Sequence, residues 1–144
     1  YGCHAIRPSE LPRPDDSRNP TKLETLIGAL GARWDVYPER LDCCGAGIAV
    51  SAGESSLKIA GAKLQKLRTE AFDGLVTTCP FCMRMLDARQ EAIGALVGSG
   101  TSFPVFYYTQ LLGLCMGLDG AKLGIQLNMS PVDEVVQKFQ ASTA

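Results

Sequence analysis

GLVTTCPFCMRMLDARQEAIGALV, residues 74–97, decides how the chain folds. Its first five residues are a short apolar run of the kind that forms a fully buried strand. They lead directly to Cys79, and Pro80 then suits the first turn of a helix, where a missing N–H costs nothing. Residues 79–97 read as one helix, with Cys82, Met85, Leu86, Arg89, Ile93 and Leu96 marking a stripe toward the core. A buried strand that hands a Cys-x-x-Cys pair to a helix is the start of a β–α unit.

The same alternation continues on both sides. Downstream, FPVFYY (103–108) is a strand candidate, TQLLGLCMGLDGAKLG (109–124) a helix followed by glycine turns, and SPVDEVVQKFQ (130–140) a last helix. There Ser130 is the predicted cap, Pro131 the first helical residue, and Asp133 and Glu134 complement the dipole. Upstream, residues 49–72 read as a helix with its best start near Ser51–Ser55 and a basic outer face of Lys58, Lys63, Lys66 and Arg68. That face reads as solvated or as a docking surface for another chain of a complex. ARWDVYP (32–38) alternates and predicts a short strand. TKLETLIGALGA (21–32) predicts a helix with Leu23, Leu26, Ile27 and Leu30 on one face, a Thr21–Glu24 capping box and a stop at Gly31. Residues 8–20 hold four prolines and read as an extended surface loop. The expectation is therefore a single α/β domain over 1–144, with a small, mostly parallel sheet flanked by helices.

The chain has 144 residues, 46% hydrophobic and 20% charged, with a net charge of −1. That length supports a core, and the charge argues against nucleic acid or an anionic membrane surface as partner. No apolar run reaches the roughly 18–20 residues of a membrane span. The chain starts at Tyr1 without methionine, so it reads as a piece of a longer protein.

Six cysteines in groups of one, two, two and one point away from a disulfide scaffold and toward metal or redox chemistry in a reducing compartment such as the cytoplasm. Cys3 is followed by 39 residues, the pair Cys43-Cys44, 34 residues, and Cys79-Pro-Phe-Cys82. In α/β sheets, sites form outside the carboxyl ends of strands. Cys79 and the vicinal pair come just after predicted strands, and Cys3 would too if a strand ends at Tyr1-Gly2, so the three groups are expected to converge at one sheet edge. A single zinc ion needs four ligands, which leaves one vicinal thiol surplus. An iron–sulfur cluster offers several irons, so neighbouring thiols can bind different ones. A dithiol redox pair, Cys79 and Cys82 at a helix start, is the simpler alternative.

Together, Cys3…Cys43-Cys44-Gly45…Cys79-x-x-Cys82 resembles the cysteine-rich CCG domain. YGCHAIRPSE, DDSRNPT, CCGAG, TTCPFCMRMLDARQ and FYYTQLLGLCMGL resemble the C-terminal half of heterodisulfide reductase B subunits, across nearly the whole chain. The resemblance implies one of two tandem domains, with the N-terminal CCG domain of the same subunit as partner. It implies Cys3, Cys43, Cys44, Cys79 and Cys82 as ligands of a noncubane 4Fe–4S cluster, with zinc as the metal in some CCG domains. It also implies reduction of a small disulfide, such as that of coenzyme M and coenzyme B. Electrons would come through a ferredoxin-like subunit from a flavin-containing one. The other class of reading is a zinc-bound or metal-free structural or subunit-interaction module.

His4, the one histidine, is the candidate proton donor to a leaving thiolate, against a role in shaping its loop. Arg7 reads either as a contact for an anionic substrate group or as a solvated arginine. Cys115 is expected to be buried and structural. Trp34 and the Phe106–Tyr108 run are expected in the core or at a domain interface. Gly45 and Gly47 are expected to let the backbone pass close to a cluster.

Overall fold

The computed structural model describes residues 1–70 and 72–142. Ala71, inside the stretch expected to be helical, and Thr143–Ala144 at the end of the expected domain lie outside them. The elements run α1 (Cys3–Ile6), α2 (Lys22–Ala29), α3 (Gly53–Thr69), β1 (Leu75–Thr77), α4 (Pro80–Leu86), α5 (Gln90–Val97), β2 (Val105–Tyr107), α6 (Tyr108–Cys115) and α7 (Asp133–Ser142). Short 3-10 turns occupy Pro38–Leu41, Ala46–Ile48 and Ile125–Leu127. β1 and β2 are parallel, with Leu75, Val76 and Thr77 opposite Val105, Phe106 and Tyr107. The architecture is the expected α/β domain with a small parallel sheet flanked by helices.

The core forms around α3. Its buried face carries Ser56, Ala60, Gly61, Lys63, Leu64 and Leu67, spaced by three and four residues. Gly61 lets α5 approach: a β carbon there would lie 2.7 Å from Val97 Cγ2 and 3.0 Å from Ile93 Cγ2. Leu64 and Ile93 are fully buried, each stabilising by roughly 1.5–3 kcal/mol relative to exposure. A second cluster of Phe106, Leu114, Ile125 and Val132 holds α6 and α7 against the other side of β2.

Three local readings are corrected. Residues 32–37 form no strand, and Trp34 and Val36 are exposed. Alternation there has no neighbouring strand to pair with, because among the described residues the sheet has two strands only. The helix expected over 79–97 is two helices, α4 and α5. Asp87 ends α4, and its buried carboxylate accepts from the N–H of Met129 (3.1 Å), the N–H of Ser130 (2.9 Å) and the Ser130 hydroxyl (2.5 Å). The Ser130 hydroxyl is thus engaged away from α7: its Oγ also accepts the Val105 N–H at 3.0 Å, and α7 begins at Asp133, not Pro131.

The α2 capping box is absent as well. The Lys22 and Thr21 N–H groups donate to Asp15 Oδ2 at 2.7 and 3.0 Å, and the Leu23 N–H donates to the Tyr1 hydroxyl at 2.8 Å. Glu24 instead accepts from Tyr1 at 2.5 Å. The proline-rich loop thus folds back to cap α2 from a distance. Gly31 does follow the helix end, with φ of +79°.

Candidate metal and redox centre

β1 carries the chain to the site. Thr77 ends it, and its Oγ1 accepts the Cys79 N–H at 3.2 Å. Cys79 is extended (φ −103°, ψ 124°) and stands at the start of α4, with Pro80 next, as read from the sequence. Cys82 follows one turn later. Both thiols are buried.

Cys44 comes from the other side, on the turn before Ala46–Ile48. Gly45 makes that turn possible. It has φ of +85°, and a β carbon there would sit 2.4 Å from the Ser56 carbonyl oxygen. The Ser56 hydroxyl donates to the Gly45 carbonyl at 2.8 Å, tying the turn to α3. The close approach is to α3, and Gly47 stands in open space with no left-handed φ, so only Gly45 has a conformational role.

Cys44, Cys79 and Cys82 lie in one buried cluster. The neighbouring Cys82 lowers the Cys44 thiol to about 6, against the effect of burial, with help from the Ala46 N–H and the Lys63 charge. Cys44, burial and the nearby Cys79 push the Cys82 thiol up.

The remaining candidate residues sit at the rim. Cys43 is exposed, and its sulfur accepts the Gly45 N–H at 3.3 Å. Cys3 opens α1 and is half-buried. Its neighbour Gly2 packs against Cys79, where a β carbon would lie 2.3 Å from Cys79 Cβ and 3.0 Å from Sγ. The structure thus buries Cys44, Cys79 and Cys82 in one core cluster. It does not gather all five sulfurs at strand ends: Cys43-Cys44 follow a 3-10 turn and Cys3 starts a helix. Among the described residues, no three Cys, His, Asp or Glu side chains converge as a ready site for a metal ion. The donor chemistry nevertheless suits a thiolate-bound group, since three buried thiols sit beside two more accessible ones.

His4 is exposed, with its ring 6.0 Å from that of Phe81, inside the Cys-x-x-Cys segment. Together with Cys3, Arg7, Arg18 and Glu10 it lines an open groove of about 560 Å³. Arg7 is exposed. Cys115 is only half-buried, more accessible than expected, and its S–H reaches the Leu30 carbonyl at 3.6 Å. Trp34 is exposed, whereas Phe106 is core.

Sequence reading misses Lys63. It groups the residue with Lys58, Lys66 and Arg68 on the solvated face, yet Lys63 is 7% exposed. Lys58 pairs with Glu54 and Lys66 with Glu70 on the outside, and Arg68 donates to the Ser102 carbonyl at 3.2 Å. Lys63 instead donates to the Glu39 carbonyl and lies 5.4 Å from the centre of the Tyr37 ring. Burial lowers its ammonium, opposed chiefly by the negative charge of Asp42. Its place between Ala60 and Leu67, in register with Leu64, is the available signal. Tyr37 and Tyr107 border the same thiols. Burial pushes the Tyr37 hydroxyl up to about 12, and the Tyr107 hydroxyl is raised chiefly by burial, with Cys79 and Cys82 adding to it.

Residues 1–87, which carry all five cysteines of the constellation, match the family model described as the cysteine-rich CCG domain. The chain belongs to the CCG domain family. This CCG chain is also 38% identical, over its whole length, to a protein of Methanosarcina mazei named as the B subunit of ferredoxin:CoB-CoM heterodisulfide reductase. It is 35% identical over 96% of its length to a protein of Archaeoglobus profundus named as similar to the heterodisulfide reductase B subunit. The 8-methylmenaquinol:fumarate reductase membrane anchor subunit of Wolinella succinogenes is 34% identical over 90% of the chain. The chain spans about half the length of these curated relatives, 49%, 47% and 45%. Among the described residues, no helix is long and apolar enough to cross a membrane.

Proposed function

We propose that this CCG domain holds an iron–sulfur cluster through Cys3, Cys43, Cys44, Cys79 and Cys82, of the noncubane 4Fe–4S type, in an oxidoreductase that reduces a disulfide. The observation that carries the reading is the divergence of the vicinal pair. Cys44 is buried against Cys82, while Cys43 points to the exposed side and is held by the Gly45 N–H. Two neighbouring thiols so disposed suit a multi-iron group better than one zinc ion. The names of the Methanosarcina and Archaeoglobus relatives support the disulfide. The Wolinella relative is named for a different reduction, so the support for the substrate comes from the first two.

When bound, the cluster supplies single electrons. The chain's own residues do the rest. The overall change is RSSR′ + 2e⁻ + 2H⁺ → RSH + R′SH, so each departing sulfur needs a proton. The exposure of His4 beside Cys3 in the groove supports it as the donor of one. Arg7 and Arg18 in the same groove suit a substrate with an anionic end. The finer partner reading is a second CCG domain in the same subunit, with ferredoxin-like and flavin-containing subunits upstream, in the cytoplasm.

The test is a set of single Cys→Ser variants purified without oxygen, with Cys115→Ser as control. Loss of iron and sulfide on substitution of each of the five, with full retention in the control, is expected. An intact cluster in Cys44→Ser contradicts the five-ligand reading.

A further inference from the structure

The two outer edges of the sheet differ. That of β2 is closed by side chains: the Val105 N–H donates to Ser130 Oγ at 3.0 Å, the Val105 carbonyl accepts from Asn128 Nδ2 at 2.8 Å, and the Tyr107 N–H donates to Gln110 Oε1 at 3.0 Å. β1 has no such cover. The Leu75 N–H donates to the Pro104 carbonyl at 2.9 Å, so Leu75 and Thr77 turn their backbone toward β2 and Val76, between them, turns its own outward. Among the described residues neither the N–H nor the carbonyl of Val76 meets a partner. The side chains repeat the difference. Val105 and Phe106 are 0% and 1% exposed, whereas Leu75 and Val76, opposite them, are only half-buried. Parallel sheets are ordinarily buried, and an open apolar edge is a template for another strand.

Gly2 stands where such a strand would end. It is extended (φ −77°, ψ 126°) and caps α1, as Cys79 is extended and caps α4. The two lie side by side: a β carbon on Gly2 would be 2.3 Å from Cys79 Cβ. With Gly2 beside Cys79, the three residues ahead of Tyr1 in a longer polypeptide fall beside Thr77, Val76 and Leu75. The connection from there to β1 runs through α1, α2 and α3, the kind of crossover that joins parallel strands. The chain covers 49% of its Methanosarcina mazei relative, and a polypeptide of that length has residues to supply the strand. We propose that the free edge of β1 is the docking site of a third, parallel strand, formed by the residues immediately ahead of Tyr1 in the longer polypeptide. The strand fixes Gly2, and so holds Cys3 at the same sheet end as Cys79. That consequence bears on the cluster reading, but the strand itself does not depend on it.

The test is amide hydrogen exchange, read by nuclear magnetic resonance, on the metal-free longer polypeptide and on the 144-residue chain. The Leu75 N–H, bonded to Pro104, is the internal reference. In the 144-residue chain the Val76 N–H is expected to exchange about a hundredfold faster than that of Leu75, and in the longer polypeptide within about tenfold of it. Proline is then placed in the longer polypeptide at either of two positions. The residue just ahead of Tyr1 turns its N–H to the Val76 carbonyl, so proline there is expected to return Val76 to fast exchange. The residue before that turns its N–H away, so proline there is tolerated. Loss of Leu75 protection as well, from the first proline and not the second, also supports the proposal. Fast exchange of Val76 in the longer polypeptide overturns it, as do equal effects of the two prolines. Slow exchange already in the 144-residue chain overturns it too: the edge is then closed from within or, where protection rises with concentration, by a second copy. The proline comparison decides even where the 144-residue chain does not fold. Every reading is made without metal, so each stands whatever the iron and sulfide assay gives.

Discussion

Gly45→Ala perturbs the turn that places Cys44. The residue has φ of +85°, which for an alanine costs roughly 1–2 kcal/mol. The added methyl would also start 2.4 Å from the Ser56 carbonyl oxygen, a backbone atom of α3 that cannot rotate away. Relief requires the turn to lift from α3, which breaks the buried 2.8 Å bond from Ser56 to the Gly45 carbonyl, worth about 1 kcal/mol. The sum is about 2–3 kcal/mol, or roughly 6–12 °C in Tm for a chain of this size. Chemical and thermal unfolding of metal-free protein measure it. Gly47→Ala is the control. Nothing lies within 4 Å of its added carbon and its φ is ordinary, so it should be neutral or stabilise by up to about 1 kcal/mol. Equal stabilities of the two variants would refute the claim that the glycine of the Cys-Cys-Gly turn is required by α3.

Other outcomes follow from named contacts. Gly2→Ala should push Cys79 out of place and weaken metal retention by about tenfold or more, read by chelator competition, because its β carbon would overlap Cys79. Ser130→Ala leaves the Val105 N–H without its acceptor and removes a donor to Asp87, so it should cost about 2–3 kcal/mol in unfolding experiments. Asp15→Ala should cost about 1 kcal/mol by uncapping α2. Burial alone would raise the Asp15 carboxyl, but donors from Lys22, Asp16, Tyr1 and Thr21 outweigh it and hold it below the usual range. Its contribution is therefore present above the unfolded value of about 4 and is lost as pH falls below that, a loss absent in Asp15→Ala.

The parts of the fold that were legible are those whose cause is local. An apolar run ending at Thr77 followed by Cys79-Pro80 specifies strand, turn and helix within a dozen residues, and β1 and α4 appear there. The start of α3 near Ser51–Ser55 and the stop at Gly31 are equally local. What was not legible depends on residues far along the chain. The break at Asp87 is made by backbone donors at Met129 and Ser130, more than forty residues on. The α2 cap comes from Tyr1 and Asp15 rather than from Thr21. Residues 32–37 alternate like a strand, but no neighbour pairs with them.

At the site, the cysteine groups and their spacing were visible in the sequence; Cys44, Cys79 and Cys82 share one buried cluster, but among the described residues no three donor side chains converge as a metal site. Lys63 was hidden by its company: three neighbouring basic residues face solvent, and only the phase of the α3 stripe distinguishes it. The roles of Gly45 and Gly2 were also hidden in part, because each is defined by a contact across the fold, with Ser56 and with Cys79.

The most direct measurement is iron, zinc and acid-labile sulfide per chain in protein purified without oxygen. Iron and sulfide in equal number, about four of each, are expected for the proposed cluster. About one zinc per chain with no sulfide would contradict it and make this CCG domain a metal-stabilised structural unit.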